Sequence, residues 1–424
     1  MSTCPALMVA APASGQGKTT VVAALARLHV RAGRKVRVFK CGPDFLDPQI
    51  HALASGQPCE NIDFRMGGEE DACWRLARAA RDNDLILVEG VMGLNDGEPS
   101  AGELARRLGL PILLVLDASA MAGSFGAVAW GLKHYRDGTP IAAVLANRVG
   151  SPGHANMLQD SLPADIRWLG ALPQDDRFVL PERHLGLHLA AEIHDLEQRI
   201  AAAAEALAAS SKLPLPPAVT FEREDETRPI PPLLAGKTVA VARDEAFCFL
   251  YPANLESLQM LGAELVFFSP LRDDHLPSAD ALWLPGGYPE LHAARLQHNS
   301  PMRAALHRAW QAGLPMLAEC GGMMALSVAI DDQPAFGLLP GRTRMAGRLQ
   351  GLGVQHVELP HGTLAAHTFH YSQFGTEMVP VAVASSRYGP GEAVYRHGSI
   401  TASYLHFYFP SNPAATAALF GGAS

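Results

Sequence analysis

Short apolar runs alternate with amphipathic segments along the first half of the chain. Runs of this kind lie at residues 36–40, 85–88, 112–116, 142–145 and 167–172. Between most of them, apolar positions recur at helical spacing. Strands that are apolar throughout and separated by helices are typical of a parallel sheet covered on both faces. The pattern therefore predicts an α/β domain that binds its ligands outside the carboxyl ends of the strands.

The second half repeats the alternation after an interruption. Strand-like runs lie at 238–243, 264–268, 281–284 and 314–318, with a helical pattern at 254–261. Between the halves, an alanine-rich amphipathic segment is followed by proline pairs and a charge run, which mark a linker. A chain of 424 residues also exceeds one ordinary hydrophobic core. We therefore expect two α/β domains, at 1–210 and 236–424, joined by a proline-rich linker at 211–235.

The most specific stretch of the first half is LMVAAPASGQGKTT at 7–20. A strand, a loop of small residues and a helix in this order form a P-loop, whose amides converge on phosphate oxygens. Pro12 stands where the pattern G-x-x-x-x-G-K-S/T has its first glycine. Lys18 is expected to reach the outer phosphates, and the Thr19 hydroxyl to join a Mg²⁺ shell. The predicted ATP-binding residues of the loop are Ser14, Gly15, Gln16, Gly17, Lys18, Thr19 and Thr20.

Acidic side chains collect where two of the predicted strands end. Asp44 and Asp47 follow one strand, and Glu89 and Asp96 follow another. Carboxylates beside a P-loop suit Mg²⁺, which takes carboxylate and phosphate oxygens. For Asp44 and Asp47, turn and helix-cap roles beside neighbouring prolines are the alternative interpretation. Glu89 directly follows an apolar strand, where a buried charge needs a partner such as a metal.

Composition narrows the class of protein. A hydrophobic content of 48% with 18% charged residues indicates a globular protein. The formal net charge of −8 argues against general nucleic-acid binding, which needs a basic face. The six cysteines show no C-x-x-C pairs and suggest a reducing compartment. Because the first apolar run lacks a basic leader and no run reaches about 20 residues, we expect a cytoplasmic protein without signal peptide or membrane span.

Cys320 is the candidate nucleophile of the second half. It lies in Ala318-Glu-Cys-Gly-Gly-Met323, directly after a predicted strand and before a helix, as in a nucleophile elbow. The dipole of that helix is expected to lower the pKa of the thiol. Backbone amides of Gly286, Gly287 and Gly321 are suited to bind an oxyanion.

Motifs in both halves resemble known families. APASGQGKTT, FKCGPDFLDPQIH, VEGVMGLNDG, ANRV and LPERHLGL, in this order, resemble the cobyrinic acid a,c-diamide synthases of cobalamin biosynthesis. Segments 284–290, 318–324 and 403–409 resemble class I glutamine amidotransferases and identify His406, on a strand-like run, as the partner of Cys320. The resemblance implies a Cys-His dyad. Most such enzymes carry a glutamate two residues after the histidine; Tyr408 stands there in this chain, so the group that orients His406 stays open.

The resemblance also assigns roles in the first domain, whose fold it implies to be similar to dethiobiotin synthetase and the partition ATPases. It implies metal contacts from Thr19, Asp44 and Glu89. Asn147 is placed to contact the adenine edge. Residues implied to contact the substrate or its acyl phosphate are Asp47, Asp96, Arg183 and His184. For the last two, contact with the nucleotide or a structural salt-bridged loop is an alternative.

Together these observations predict an amidoligase that uses Mg²⁺ as cofactor and ATP and L-glutamine as co-substrates. The resemblance implies a corrinoid polycarboxylate, cobyrinic or hydrogenobyrinic acid, amidated at the a and c acetate groups, and a homodimer; no nucleic-acid or membrane partner is expected. A cobyric acid synthase is the alternative within the same class. A partition-type P-loop ATPase switch is the alternative from another class, although it leaves the Cys320 elbow unexplained.

Overall fold

The computed structural model describes residues 1–183, 186–187, 189–210, 214–222 and 230–422. The chain divides into two units, one of residues 1–64 and 69–226 and one of residues 65–68 and 227–424. Among the described residues, the structure contains no helix long and apolar enough to cross a bilayer.

The described residues of the first half alternate strands with helices. The strands are β1 (Ser2–Ala10), β2 (Val36–Cys41), β3 (Glu60–Ile62), β4 (Leu85–Glu89), β5 (Ile112–Asp117), β6 (Ile141–Val149), β7 (Arg167–Pro173), β8 (Glu182–Arg183), β9 (Gly186–Leu187) and β10 (Ala218–Phe221). The α-helices are α1 (Lys18–Arg31), α2 (Asp47–Ser55), α3 (Gly68–Asp82), α4 (Ala101–Arg107), α5 (Ser124–His134), α6 (Pro152–Asp160) and α7 (Leu196–Ser210). Short 3-10 helices lie at Asp176–Phe178 and Ala190–Glu192.

The first unit is built on a parallel sheet with the strand order β3-β2-β4-β1-β5-β6-β7. Met8 of β1 packs into one apolar cluster and Val9 into another, so both faces of the sheet are covered. This double burial explains the continuous apolar runs of the sequence, and it confirms the predicted α/β class. Within the segment expected to be a linker, β10 pairs antiparallel with the start of β1.

The described residues of the second half contain more strands than helices. The strands are β11 (Thr238–Ala242), β12 (Glu264–Phe268), β13 (Ala281–Leu284), β14 (Met316–Glu319), β15 (Ala329–Ile330), β16 (Gln333–Pro334), β17 (Gly341–Met345), β18 (Gly351–Leu359), β19 (Gly362–His370), β20 (Ser372–Thr376), β21 (Ala382–Ser386), β22 (Gly389–His397), β23 (Ile400–Ser403) and β24 (His406–Phe407). The α-helices are α8 (Pro252–Met260), α9 (Ala293–His298), α10 (Ser300–Gln311), α11 (Gly321–Leu326) and α12 (Pro413–Leu419). Short 3-10 helices lie at Pro289–His292 and Phe409–Ser411.

The main sheet of the second unit has the order β12-β11-β13-β14-β23-β22-β21-β18-β19-β24. Its first five strands are parallel, and the rest are antiparallel. Leu282 and Trp283 of β13 pack into separate apolar clusters, so this part of the sheet is also covered on both faces. The carboxyl ends of β13 and β14, which carry the glycine pair and Cys320, are neighbours.

The strand-like run predicted over 403–409 is wrong as a single strand. Strand β23 ends at Ser403 and pairs with β14 and β22, whereas β24 begins at His406 and pairs with β19. At the break, the Ser403 hydroxyl accepts the Leu405 N–H at 3.1 Å and donates to the Ala393 carbonyl at 2.8 Å. The chain therefore changes partners just before His406.

Candidate active sites

The P-loop is held by the ends of two neighbouring strands. Gly17 has φ 90° and precedes α1, and a Cβ at this position would lie 2.2 Å from Asn147 Nδ2. Asn147, at the end of β6, donates to the Gln16 carbonyl at 2.9 Å. The Gln16 side chain in turn accepts the Asp117 N–H at 2.9 Å. Asn147 thus braces the phosphate loop, and its contact with adenine stays a prediction.

Lys18 lies at the start of α1 with its ammonium inside the loop. Its Nζ donates to the carbonyls of Ala13 at 3.1 Å and Met92 at 2.7 Å. Burial, followed by the nearby charge of Lys40, lowers the pKa of Lys18. Ser14 and Gly15 are exposed at the tip of the loop, where their backbone is accessible to a phosphate.

Glu89 is the centre of a buried polar cluster beside the loop. Its Oε1 accepts from the Thr19 hydroxyl at 3.1 Å and from Lys40 Nζ at 3.0 Å, and its Oε2 contacts His51 Nε2. Lys40 also pairs with Asp47 at 2.8 Å. Two of these residues, Lys40 and His51, were not among the predicted site residues. Both lie in FKCGPDFLDPQIH, at positions 40 and 51, so the motif contained the signal.

The cluster keeps its central groups charged despite burial. Burial alone would raise the pKa of Glu89, but Lys40 and His51 hold it well below its ordinary value. Burial alone would likewise lower the pKa of Lys40, but Asp47, Glu89 and Asp44 raise it well above its ordinary value. A buried ammonium surrounded by carboxylates is stable only while its partners remain in place.

Mg²⁺ fits this site when phosphate oxygens complete its shell. Thr19 Oγ1 and Glu89 Oε1 lie 3.1 Å apart, and adjacent ligands of an octahedral ion with bonds of about 2.1 Å are about 3 Å apart. In the described part of the chain, no group of three or more His, Cys, Asp or Glu side chains could hold a metal ion.

Asp44 accepts the N–H groups of Leu46 at 2.8 Å and Asp47 at 3.2 Å, which is the turn role given as its alternative.

Asp96 lies against the P-loop through Gly93. Its Oδ2 accepts the Gly93 N–H at 3.1 Å. A Cβ on Gly93 would lie 2.3 Å from both Asp96 Oδ2 and the Pro12 carbonyl oxygen. Pro12, which replaces the first glycine of the P-loop pattern, therefore lies with its carbonyl against the segment that follows β4. Arg183 is the second residue of β8, and its side chain, like the whole of His184, lies outside the described residues.

Cys320 occupies a strained turn between β14 and α11. Its φ of 45° is in the left-handed region, and its N–H donates to the Ser403 carbonyl at 2.7 Å. A Cβ on Gly321 would lie 2.8 Å from Gly287 N, so the elbow packs directly on the glycine pair after β13. This packing brings Cys320, Gly287 and Gly321 into one small region.

His406 packs on the same glycine pair. A Cβ on Gly286 would lie 2.3 Å from His406 Cε1, so only glycine fits beneath the ring. The ring is buried between Phe249 and His367, with centroid distances of 6.0 Å and 6.4 Å. The structure therefore brings together Cys320, His406 and the glycines predicted to bind an oxyanion.

The predicted low pKa of the Cys320 thiol is wrong for the resting protein. Burial, reinforced by the Glu290 carboxylate, raises the pKa of Cys320, and the hydrogen bond from the Gly321 amide only partly opposes this. The following helix α11 has only six residues, which limits its dipole. Burial also lowers the pKa of His406 well below its ordinary value, helped by His367 and His370. The pair thus rests as a neutral thiol and a neutral imidazole.

Two family models match the chain. A CobQ/CobB/MinD/ParA nucleotide binding domain matches residues 7–187, and a CobB/CobQ-like glutamine amidotransferase domain matches residues 238–414. Among solved structures, the signal recognition particle receptor FtsY from Elizabethkingia anophelis in complex with GDP aligns with 46% of this chain and 64% of its own, at 19% identity and a TM-score of 0.32.

Curated relatives match the whole length of the chain. A hydrogenobyrinate a,c-diamide synthase of Stutzerimonas stutzeri is 56% identical and covers 98% of both chains. One of Pseudomonas aeruginosa is 55% identical over 99% of this chain and 98% of its own. A cobyrinate a,c-diamide synthase of Herminiimonas arsenicoxydans is 45% identical over 98% of this chain and 96% of its own.

Proposed function

Since this chain belongs to the family of hydrogenobyrinate and cobyrinate a,c-diamide synthases, we propose that it amidates the a and c acetate carboxylates of a corrinoid with ATP and glutamine. It is a glutamine-dependent ligase, with a nucleotide-binding and a glutamine amidotransferase domain. The second site is the observation that favours this proposal over a P-loop ATPase switch. There, the elbow that contains Cys320 and the ring of His406 pack on the same glycine pair, which a nucleotide switch does not require.

The first unit would activate the carboxylate. An oxygen of the substrate carboxylate attacks the γ-phosphorus of ATP, ADP leaves, and an acyl phosphate forms. Lys18 supports this step with its ammonium group. The group donates to the carbonyls of Ala13 and Met92 in the structure, and it can donate to phosphate oxygens when the nucleotide binds. Mg²⁺, when bound, neutralises phosphate charge, and Thr19 and Glu89 would hold it together with those phosphates. Asp47 and Asp96 are proposed to contact the substrate or the acyl phosphate.

The second unit would supply ammonia. The Cys320 sulfur attacks the glutamine carboxamide carbon while its proton passes to His406. The oxygen of the tetrahedral intermediate would accept from the amides of Gly287 and Gly321, two residues that pack closely on each other. His406 then returns the proton to the departing ammonia, leaving a thioester that water hydrolyses to glutamate. The ammonia displaces phosphate from the acyl phosphate and forms the amide.

The substrate proposed here is hydrogenobyrinate, the corrinoid without cobalt. The two relatives of 55% and 56% identity carry that name, and the cobyrinate enzyme is 45% identical. A homodimer belongs to the same proposal, and light scattering of the purified protein measures it.

The proposal is tested by mass spectrometry of the corrinoid. The protein is incubated with ATP, Mg²⁺ and either glutamine or ammonium, and hydrogenobyrinate and cobyrinate are offered separately. We expect two successive amidations, faster on hydrogenobyrinate. The variant Cys320→Ala should lose the glutamine-dependent reaction and keep the ammonium-dependent one. Amidation by Cys320→Ala with glutamine at the wild-type rate would contradict the assigned nucleophile.

Two further outcomes concern the substrate. If neither corrinoid changes mass while another carboxylic acid is amidated, the corrinoid assignment is wrong. If the a,c-diamide is amidated further at other carboxylates, the chain acts as the cobyric acid synthase alternative.

A further inference from the structure

We propose that the carboxyl group of Glu319 positions His406 for catalysis by holding the backbone of the next residue, Phe407. This inference rests on the glutaminase site proposed above. Glu319 lies directly before the nucleophile, at the final position of β14. Glu319 is only 1% exposed, and a buried carboxyl is costly unless its oxygens are hydrogen-bonded.

Two consecutive residues of the elbow hold the two ends of the segment that contains His406. Cys320 N–H donates to the Ser403 carbonyl at 2.7 Å. Glu319 Oε1 accepts the Phe407 N–H at 2.8 Å. His406 lies between these two contacts, so the position of its backbone is tied at both ends to the strand that carries Cys320.

The other carboxyl oxygen of Glu319 is held by Trp283. Glu319 Oε2 accepts the indole N–H of Trp283 at 2.8 Å. Trp283 is itself fully buried and packs on Phe409 and Phe420, with centroid distances of 4.8 Å and 6.4 Å. A rigid donor therefore orients the carboxyl group, leaving its second oxygen directed at Phe407.

Asn254 also restrains the backbone at Phe407. Its Nδ2 donates to the Phe407 carbonyl at 2.7 Å, and its Oδ1 accepts the Phe409 N–H at 2.9 Å. Both backbone groups of Phe407 are thus bonded to buried side chains. We call Glu319, Trp283 and Asn254 the His406 clamp.

The short strand β24 explains why such a clamp is needed. It has only two residues, His406 and Phe407, and the Tyr408 N–H adds one backbone hydrogen bond to β19, to the Ala365 carbonyl at 2.8 Å. A ladder this short restrains the backbone weakly, whereas side-chain hydrogen bonds from β14 and α8 fix it against the elbow. Burial raises the pKa of Glu319 to about 8, and the hydrogen bonds from the Phe407 and Trp283 N–H groups oppose this shift because they stabilise the ionised carboxylate.

The experiment compares variants of the full chain that differ only in these contacts. Glu319→Leu removes both hydrogen bonds. Glu319→Gln has a single acceptor oxygen, so its NH₂ group must face either the Trp283 or the Phe407 N–H. In the double variant Glu319→Gln with Trp283→Phe, the indole donor is absent, and the amide oxygen can accept from Phe407 again.

We expect Glu319→Leu to lower kcat for glutamine hydrolysis about 100-fold, because a small displacement of a catalytic group has that effect. The KM for glutamine and the ammonium-dependent amidation should stay near wild-type values. Glu319→Gln should lower kcat for glutamine hydrolysis roughly 10-fold or more, whereas Trp283→Phe alone should lower it only a few-fold. The double variant should recover to the level of Trp283→Phe.

Three outcomes would overturn the inference. The first is wild-type glutamine hydrolysis by Glu319→Leu while Cys320→Ala has none, which would leave the proposed function intact. The second is an equal loss of glutamine-dependent and ammonium-dependent amidation, which would indicate a role in folding only. The third is a double variant no better than Glu319→Gln. Glutamine hydrolysis that persists in Cys320→Ala would instead contradict the proposed function.

Discussion

The two candidate sites handle charge in opposite ways. Beside the P-loop, the ammonium of Lys40 and the carboxylate of Glu89 stay charged although both are buried. At the elbow, burial shifts the pKa values of Cys320, His406 and Glu319 toward their neutral forms. The first site is thus a network of charged groups around Lys40 and Glu89, in which burial and the Asp44 charge raise the pKa of Asp47 well above its ordinary value. The second is a set of neutral groups held by packing and backbone contacts.

The difference matches the ligands proposed for each site. ATP and a polycarboxylate bring several negative charges, and a network that already contains cations can exchange its partners for phosphate oxygens. The reacting carboxamide of glutamine is neutral, and charge develops there only as the thiol attacks. A neutral site with backbone donors therefore favours the transition state over the bound substrate.

The largest expected effect tests whether the first site depends on its charges. Lys40→Met leaves Asp47 and Glu89 without their shared cation, and breaking a buried pair typically costs about 3–5 kcal/mol. Cys320→Ala removes a neutral group and should cost about 1 kcal/mol in its own unit. Hydrogen exchange at β2 and β14 measures the two stabilities separately, and Lys35→Met, at an exposed lysine, is the control. Equal losses in Lys40→Met and Cys320→Ala would contradict the contrast.

The next effect separates steric fit from backbone conformation in the P-loop. Gly17→Ala would place a Cβ 2.2 Å from Asn147 Nδ2, whereas Gly15→Ala would meet no atom within 4 Å. Both glycines have positive φ, 90° and 76°, so both variants carry similar backbone strain. We expect Gly17→Ala to lower ATP-dependent amidation with ammonium by about 100-fold, and Gly15→Ala by much less.

Glutamine hydrolysis serves as the internal control for both loop variants, since the elbow does not contain these residues. If Gly15→Ala is as impaired as Gly17→Ala, the brace formed by Asn147 is not the reason why glycine is required at position 17.

Most parallel strands of both sheets could be predicted because their apolar runs reflect burial on two faces. The antiparallel strands β18, β19, β21 and β22 mix buried with exposed residues and were not predicted. The cysteine elbow was also visible, since a cysteine that follows an apolar strand and precedes a glycine pair is a local pattern. The break between β23 and β24 could not be predicted, because β23 pairs with β14 and β24 with β19, and these partners are distant in the sequence. An apolar and aromatic run such as 403–409 looks like one strand without that information.

The supporting residues were missed because their partners are distant in the sequence. In the sequence, Lys40 is only the last residue of a predicted strand, because its ion pairs with Asp47 and Glu89 form only in the folded chain. Asn254 and Phe407 are far apart along the chain, and no periodicity connects them. The sequence left the group that orients His406 open, with Tyr408 in place of an acid. The contact between Glu319 and Phe407 offers an answer that requires the fold.

The smallest expected effect is the pH dependence of the stability of the second unit, which contains the neutral site. Burial lowers the pKa of His367 from 6.5 to about 3, and its Nδ1 has no hydrogen-bond partner among the described residues. Between these values the unfolded chain binds the proton more tightly, so the second unit loses stability as pH falls below 6.5. Glu319 acts in the opposite direction, because its raised pKa makes the folded state the better proton binder between pH 4.5 and about 8. Glu89, with its lowered pKa, stays ionised in both states above pH 4.5 and contributes no such loss to the first unit.

The variant His367→Gln isolates the histidine from these other groups. The slope from one such group is about 1.4 kcal/mol per pH unit, so lowering the pH from 7 to 5 should cost the wild type roughly 2 kcal/mol more than the variant. Hydrogen exchange at β19 and β14 as a function of pH measures the difference, and exchange at β4, in the first unit, should follow the same pH curve in the wild type and the variant. Parallel pH curves for wild type and variant would mean that His367 takes up a proton in the folded state. The second site would then not be the neutral counterpart of the first.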